Sequence, residues 1–265
     1  TCALPISSLP AGDYDLVIDG ANGEHGDYSV LVEAAPVDDS FGYRAITDLR
    51  QFEPLGAGAT SFTVTSPDFD DEETFTIAIP FGFSYFGVPQ TSVNVHTNGF
   101  LSFDPIPTGL HPEHLFNECP MDDSTPLNMI AVFWDDHIGS TENVVSGEQS
   151  LKHQVLGEAP NRRLVVEWLE WDLFETDTCD AELNNCDDIN TRVSHQAILH
   201  ENGDIEFHYG PRVFPFLSFG CEQQHKGCSA TIGLRNAAGD DVDLFGCDTE
   251  NLIDTNVVVR FVHPR

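Results

Sequence analysis

A chain of 265 residues with 40% hydrophobic residues, 19 Phe and 3 Trp can bury a substantial core, which excludes intrinsic disorder. Its 44 acidic residues against 11 basic ones, a formal charge of −33, exclude nucleic acid and anionic membrane surfaces as partners, because such a surface repels phosphate. No run approaches the roughly 18 consecutive apolar residues of a membrane span. The acidity suits a salty medium, where ions screen self-repulsion beyond about 8 Å.

Residues 1–8 are expected to be an artefactual or disordered end, since Thr1-Cys-Ala-Leu-Pro-Ile6 equals one translated frame of a common sequencing adapter. No basic n-region and apolar h-region open the chain, so the leader of a secreted protein would lie upstream and the sequence reads as a fragment. Residues 9–34 hold two alternating runs, Leu9-Pro-Ala-Gly-Asp-Tyr-Asp-Leu-Val-Ile-Asp-Gly20 and Asp27-Tyr-Ser-Val-Leu-Val-Glu33, around a Gly/Asn turn, the pattern of a hairpin. This stretch resembles the closing hairpin of the bacterial pre-peptidase C-terminal domain, a small β-sandwich appended to secreted proteases and other exoproteins. Residues 35–49, with Pro36 and Asp38-Asp39-Ser40, read as a linker.

From residue 50 to 265 the pattern is strand after strand. Ser61–Thr65 alternates, Ser66–Glu73 is an acidic loop, and Thr74–Phe83 alternates again. Val93, Val95, Phe100 and Leu101 flank Asn98-Gly99, a dipeptide that takes positive φ and predicts a hairpin. Asn128-Met-Ile-Ala-Val-Phe-Trp-Asp-Asp-His137 is a short apolar run ending in paired aspartates, as expected of a strand buried on both faces. His153–Gly157, Arg163–Leu173, Ser194–His200, Asp204–Tyr209, Ser229–Arg235 and Asn256–Val262 follow, with Glu201-Asn-Gly203 as a second hairpin turn. Helical periodicity is nowhere sustained. The fold class is therefore all-β, a sandwich of mostly antiparallel strands with long, acidic, disulfide-stapled loops.

The ordered motifs Ile79-Pro-Phe-Gly-Phe-Ser-Tyr-Phe-Gly87, Thr97-Asn-Gly-Phe-Leu-Ser-Phe103, Ile130-Ala-Val-Phe-Trp-Asp-Asp136, Asn161–Trp168, Ala197–Gly210 and Ala230–Leu234 carry a further resemblance. Over roughly residues 50 to 264 the chain is similar to bacterial relatives of the nidogen-like extracellular domain. That resemblance implies a secreted or surface-displayed β-rich module of multidomain proteins, associated with adhesion and matrix contacts, without catalytic residues. The acidic insert at 175–190 departs from the family pattern.

Seven cysteines occur, and setting Cys2 aside as part of the artefactual end leaves six. They lack zinc spacings, so disulfides and an oxidising, extracellular or cell-surface location are expected. Cys179 is expected to pair with Cys186 and Cys221 with Cys228 in two short loops, which leaves Cys119 for Cys247. The first loop gathers Asp177, Asp180, Asp187 and Asp188, oxygen ligands that suit Ca²⁺ but do not follow the EF-hand pattern; no other cofactor is expected.

Other clusters read more plainly. Asp135-Asp136-His137 suits metal or acid/base work only if ligands converge from other strands, and otherwise caps a strand end. His111 and His114 bracket Pro112, which prevents the helix that would align them as ligands. Glu167, Glu170 and Asp172 lie on one strand, Glu170 and Asp172 at a spacing of roughly 7 Å, and read as its wet face. Nucleophile-elbow, phosphate-loop and dinucleotide motifs are missing. The expectation is a non-enzymatic module that meets an extracellular protein or glycan and belongs with upstream domains of the same chain. The other reading is an accessory targeting domain of a secreted peptidase or other hydrolase.

Overall fold

Period-two alternation builds the frame. In β3 (Thr74–Tyr85) Phe75, Ile77, Ile79, Phe81, Phe83 and Tyr85 turn inward while Thr74, Thr76, Ala78, Pro80 and Gly82 face water. The structure is a computed structural model that describes residues 41–64, 73–106, 117, 119, 121, 125–138, 149–173, 192–211, 227, 229–249 and 252–264. The expected hairpin at 9–34 lies outside them.

The other strands are β1 (Arg44–Leu49), β2 (Thr60–Ser61), β4 (Val88–His96), β5 (Phe100–Ser102), β6 (Met129–Trp134), β7 (His137–Ile138) and β8 (Ser150–Leu156). They continue with β9 (Arg163–Leu173), β10 (Arg192–His200), β11 (Ile205–Tyr209), β12 (Thr231–Arg235), β13 (Val242–Cys247) and β14 (Val257–Val262). The small sheet runs β13-β12-β6-β5-β4-β3, and the large sheet β1-β14-β11-β10-β9-β8-β2 with β7 beside β9. Every pairing is antiparallel. No helix occurs among the described residues, hence none long and apolar enough to cross a membrane.

The two sheets close on each other as a sandwich. Val93, Val95, Leu101, Ile130 and Val132 of the small sheet belong to the same core as Leu164, Val166, Trp168, Ala197, Leu199, Phe207 and Val259 of the large one. Each buried Leu, Phe or Val there contributes about 1.5–3 kcal/mol relative to exposure. Tyr209 donates its hydroxyl to the Val132 carbonyl at 2.7 Å, and Trp168 its Nε1 to the His96 carbonyl at 3.0 Å, so polar tips also join the sheets.

Both outer faces carry apolar clusters of their own. Phe100, Met121, Met129, Ala131 and Trp134 pack with Ile106 and Leu244 on the small sheet, which is why all six residues of β6 are buried. On the large sheet Leu55 packs on Val165 and Ile198.

Leu55 belongs to a strap, residues 50–59, that leads from β1 at one edge to β2 at the other. Arg50 and Phe52 donate their backbone amides to the Asn256 carbonyl (2.8 Å) and Oδ1 (3.1 Å). Gln196 donates to the Glu53 carbonyl at 3.0 Å, and Leu55 donates its amide to Glu167 Oε2 at 2.8 Å. The Phe52 ring rests on Gly210, where a β-carbon would stand 2.9 Å from it.

The stretch expected to be linker thus carries a strand. In β1 only Ala45 is buried, so the edge strand leaves no alternation to read. β2 is shorter than the Ser61–Thr65 alternation predicts, although Phe62 still donates to the Leu151 carbonyl at 2.9 Å.

Cys119 is joined to Cys247 across a sequence separation of 128 residues, tying the connection after β5 to the end of β13. The partners expected for Cys179, Cys186, Cys221 and Cys228 lie outside the described residues. Closing so long a loop removes much unfolded-state entropy. The Cys119→Ser/Cys247→Ser variant is expected to lose about 2–5 kcal/mol of stability relative to the parent chain in urea titrations.

Candidate functional site

The turn after β4 is built by glycine. Gly99 has φ 75°, and a β-carbon there would lie 2.1 Å from the Phe133 carbonyl oxygen and 2.7 Å from His137. Its own carbonyl accepts from the amides of Val132 and Phe133, each at 3.1 Å. The predicted hairpin turn is therefore present, as Thr97-Asn98-Gly99, but it is fully buried under β6 instead of facing a ligand.

Asp135, Asp136 and His137 complete this knot. Asn98 Oδ1 accepts from the His137 amide at 3.2 Å, Asp135 Oδ1 from the Asp136 amide at 2.9 Å, and Asp135 Oδ2 from the Ser229 hydroxyl at 2.7 Å. His137 Nδ1 lies 3.0 Å from the Asp135 carbonyl oxygen, which makes Nδ1 the donor. The His137 ring is fully buried among Phe133, Trp171 and His195, and His195 stacks on Trp168 at 4.9 Å. Burial lowers His137 to about 4 and, with the nearby His137, lowers His96 to about 3, so both rings are neutral at ordinary pH. Burial raises Asp135 to about 7 against the pull of Ser229 and the Asp136 amide. These groups cap a strand end and fill the core, the plainer of the two roles the sequence offers them.

An open site lies elsewhere, on the outer face of the large sheet beside the strap. A cleft of about 550 Å³ has Ser150, Lys152, Leu169, Glu170 and Ser194 as its floor. Phe52, Pro54, Gln149 and Pro211 complete its lining. Its size is that of ordinary ligand pockets.

A bulge shapes the floor. Register shifts between Val193 and His195, and Glu170 takes φ 55°, a conformation that costs a side-chain-bearing residue on the order of 1 kcal/mol or more. The extra residue lets Trp168 and Trp171, three apart, both enter the core while Glu167, Glu170 and Asp172 stay on the outer side. Glu170 donates its amide to Ser194 Oγ at 3.1 Å, and the Ser194 hydroxyl returns a bond to Glu170 Oε1 at 3.4 Å. Asp172 accepts from Arg192 at 3.0 Å, though burial still pushes its carboxyl upward. The carboxylates expected as one wet face are thus divided among a strap anchor, a cleft wall and an ion pair.

The cleft occupies one end of the sheet. β8 begins there at Ser150, β9 ends at Leu173, β10 begins at Arg192 and β11 ends at Tyr209. Four strand ends therefore border it; residues 139–148, 174–191 and 212–226 lie outside the described residues.

Residues 42–257 match the family described as NIDO related. The chain belongs to the NIDO-related family. No curated protein and no solved structure matches it. Membership suggests an extracellular binding module, in keeping with the disulfide and the β-sandwich.

In this NIDO-related chain the residues expected to hold Ca²⁺, Asp177, Asp180, Asp187 and Asp188, lie outside the described residues, as do His111 and His114. Among the described residues Cys119, Cys247 and Asp248 converge, but both sulfurs are spent in the disulfide and cannot act as thiolate ligands. Phe52, Pro54 and Ser194 escaped the sequence reading. So did Lys152, although its rarity, one of two lysines in the chain, is a signal that could have pointed to it.

Asp135 gives the knot a pH signature. Its folded value lies above its unfolded one, so its favourable contribution is complete below pH about 3.8 and is lost as pH rises to about 7. Asp135→Asn keeps an acceptor for the Asp136 amide and carries no charge. Its melting temperature is expected to match the parent at pH 4 and exceed it by roughly 4 °C or more at pH 8, read by differential scanning calorimetry.

Proposed function

We propose that the chain is a non-catalytic adhesion and binding module of a larger secreted or surface-anchored bacterial protein, meeting an extracellular protein or glycan at one end of its large sheet. The observation that carries this reading is the division of labour between interior and rim. Imidazoles and carboxylates suited to chemistry, His96, His137, His195 and Asp135, are buried and serve packing or strand capping. The open cleft lies instead at one end of a rigid sheet, where strands end and recognition residues are usually presented.

Extracellular membership of the NIDO-related family supports the same reading, and the acidic surface favours contacts chosen by shape over indiscriminate adhesion to polyanions.

The test uses the whole chain immobilised on a sensor and exposed to arrays of purified extracellular proteins and glycans, with parallel assays on ester, glycoside and peptide substrates. Saturable binding to members of the arrays without turnover is expected. Turnover that His137→Gln abolishes, with folding retained by circular dichroism, would overturn the non-catalytic reading; absence of any saturable binding would overturn the binding reading.

A further inference from the structure

The cleft has a chemical character that narrows its ligand, an inference that rests on the binding-module reading. The described arginines at its sheet are largely committed. Arg50 pairs with Glu206 at 2.9 Å, Arg162 with Glu201 at 2.5 Å, Arg192 with Asp172 at 3.0 Å, and Arg260 with Asp204. Lys152 has no ion-pair partner among the described residues, in a chain with 44 carboxylates.

Lys152 stands opposite Glu167, whose Oε2 accepts from the Leu55 amide at 2.8 Å and Gln196 Nε2 at 2.7 Å beneath the strap, and whose Oε1 is buried and meets no hydrogen-bond partner among the described residues. Glu170, across the cleft floor, is turned by its bulge toward Ser194. Half-buried Lys152 thus has three ammonium donors without a partner among the described residues.

Beside it the wall is apolar: Phe52, Pro54, Leu169 and Pro211. Phe52 is only 6% exposed, and among the described residues neither Trp nor Tyr lines the cleft. Sugars favour a broad, open aromatic platform, whereas an aliphatic side chain fits a wall of prolines and leucine.

We propose that the cleft binds a peptide segment that places a carboxylate on Lys152 and an adjoining apolar side chain against Phe52, Pro54, Leu169 and Pro211. Glu170 and Ser194, on the same floor, face the peptide's amide groups. The carboxylate comes from a chain terminus or from an acidic side chain, and both give the same contact.

Three labelled peptides of matched length separate the sources in fluorescence anisotropy: one ending in leucine with a free carboxylate, the same peptide amidated, and an amidated one with aspartate before the leucine. At least one carboxylate peptide is expected to bind about ten-fold more tightly than the neutral amide, and the stronger of the two identifies the source. Lys152→Met removes that preference, whereas Lys152→Arg keeps it within about three-fold; neither changes the melting temperature, because the Lys152 side chain has no ion pair among the described residues.

Equal binding of all three peptides, or an unchanged preference in Lys152→Met, would overturn the proposal. So would displacement of the peptide by uronic-acid oligosaccharides at concentrations below those of unlabelled peptide. If Lys152→Met leaves array binding to extracellular proteins intact, the peptide assignment falls and the module reading stands. If neither peptides nor arrays bind, both fall.

Discussion

Among the described glycines, Gly99 leaves the least room for a β-carbon, because it lies directly against β6. With a β-carbon there at 2.1 Å from the Phe133 carbonyl oxygen, no other residue fits without moving the strand. From that contact follow the buried turn, the cap that Asn98 places on His137, and the depth at which Trp168 reaches the His96 carbonyl from the opposite sheet. A polar knot inside a sandwich is costly unless each group finds a partner. Here the turn supplies acceptors for the strand end, and the strand end supplies donors for the turn.

The titrating groups of the knot pull in opposite directions. His96 and His137, lowered by burial to about 3 and 4, favour the fold above pH about 6.5 and withdraw that support as pH falls toward those values. Asp135, raised to about 7, does the reverse over much of the same window. The fold therefore holds a neutral interior from both sides, an arrangement suited to packing. A pair poised for proton transfer would instead need one of these groups to meet substrate, and His137 is sealed behind Phe133, Trp171 and His195.

Much of the fold was legible because alternation is local. β3, β10, β11 and β14 announce themselves by inward residues every second position, as does β9 up to its bulge, and the apolar run of β6 reads as a strand covered on both faces. What was not legible depends on partners distant in sequence. Ala45 is the one buried residue of β1, so nothing in that stretch distinguishes an edge strand from a linker. The strap is held through Asn256, Gln196 and Glu167, none of which its own sequence predicts. The Glu170 bulge leaves a single trace, two tryptophans three apart where alternation would put them on opposite faces. Asn98-Gly99 could be read as a turn, but whether water or β6 covers it is a tertiary matter.

The large sheet also shows how a chain of charge −33 spends its few cations. Arg162 clamps Glu201, whose carboxyl its hydrogen bonds hold down at about 2, and reaches over the Phe81 ring and to the Pro80 carbonyl of β3. Glu206 resists burial and stays well below the usual carboxylate range because His200, His208 and Arg50 surround it. Cations used this way fix strands to one another and to the strap. A net charge of −33 gives no long-range attraction for an anionic partner, and beyond a Debye length of about 8 Å surface charges are largely screened. Recognition of a carboxylate at Lys152 must then be decided at contact, where the ammonium, the bulged floor and the apolar wall act together, and an acidic polymer that cannot enter the cleft gains nothing from approaching it.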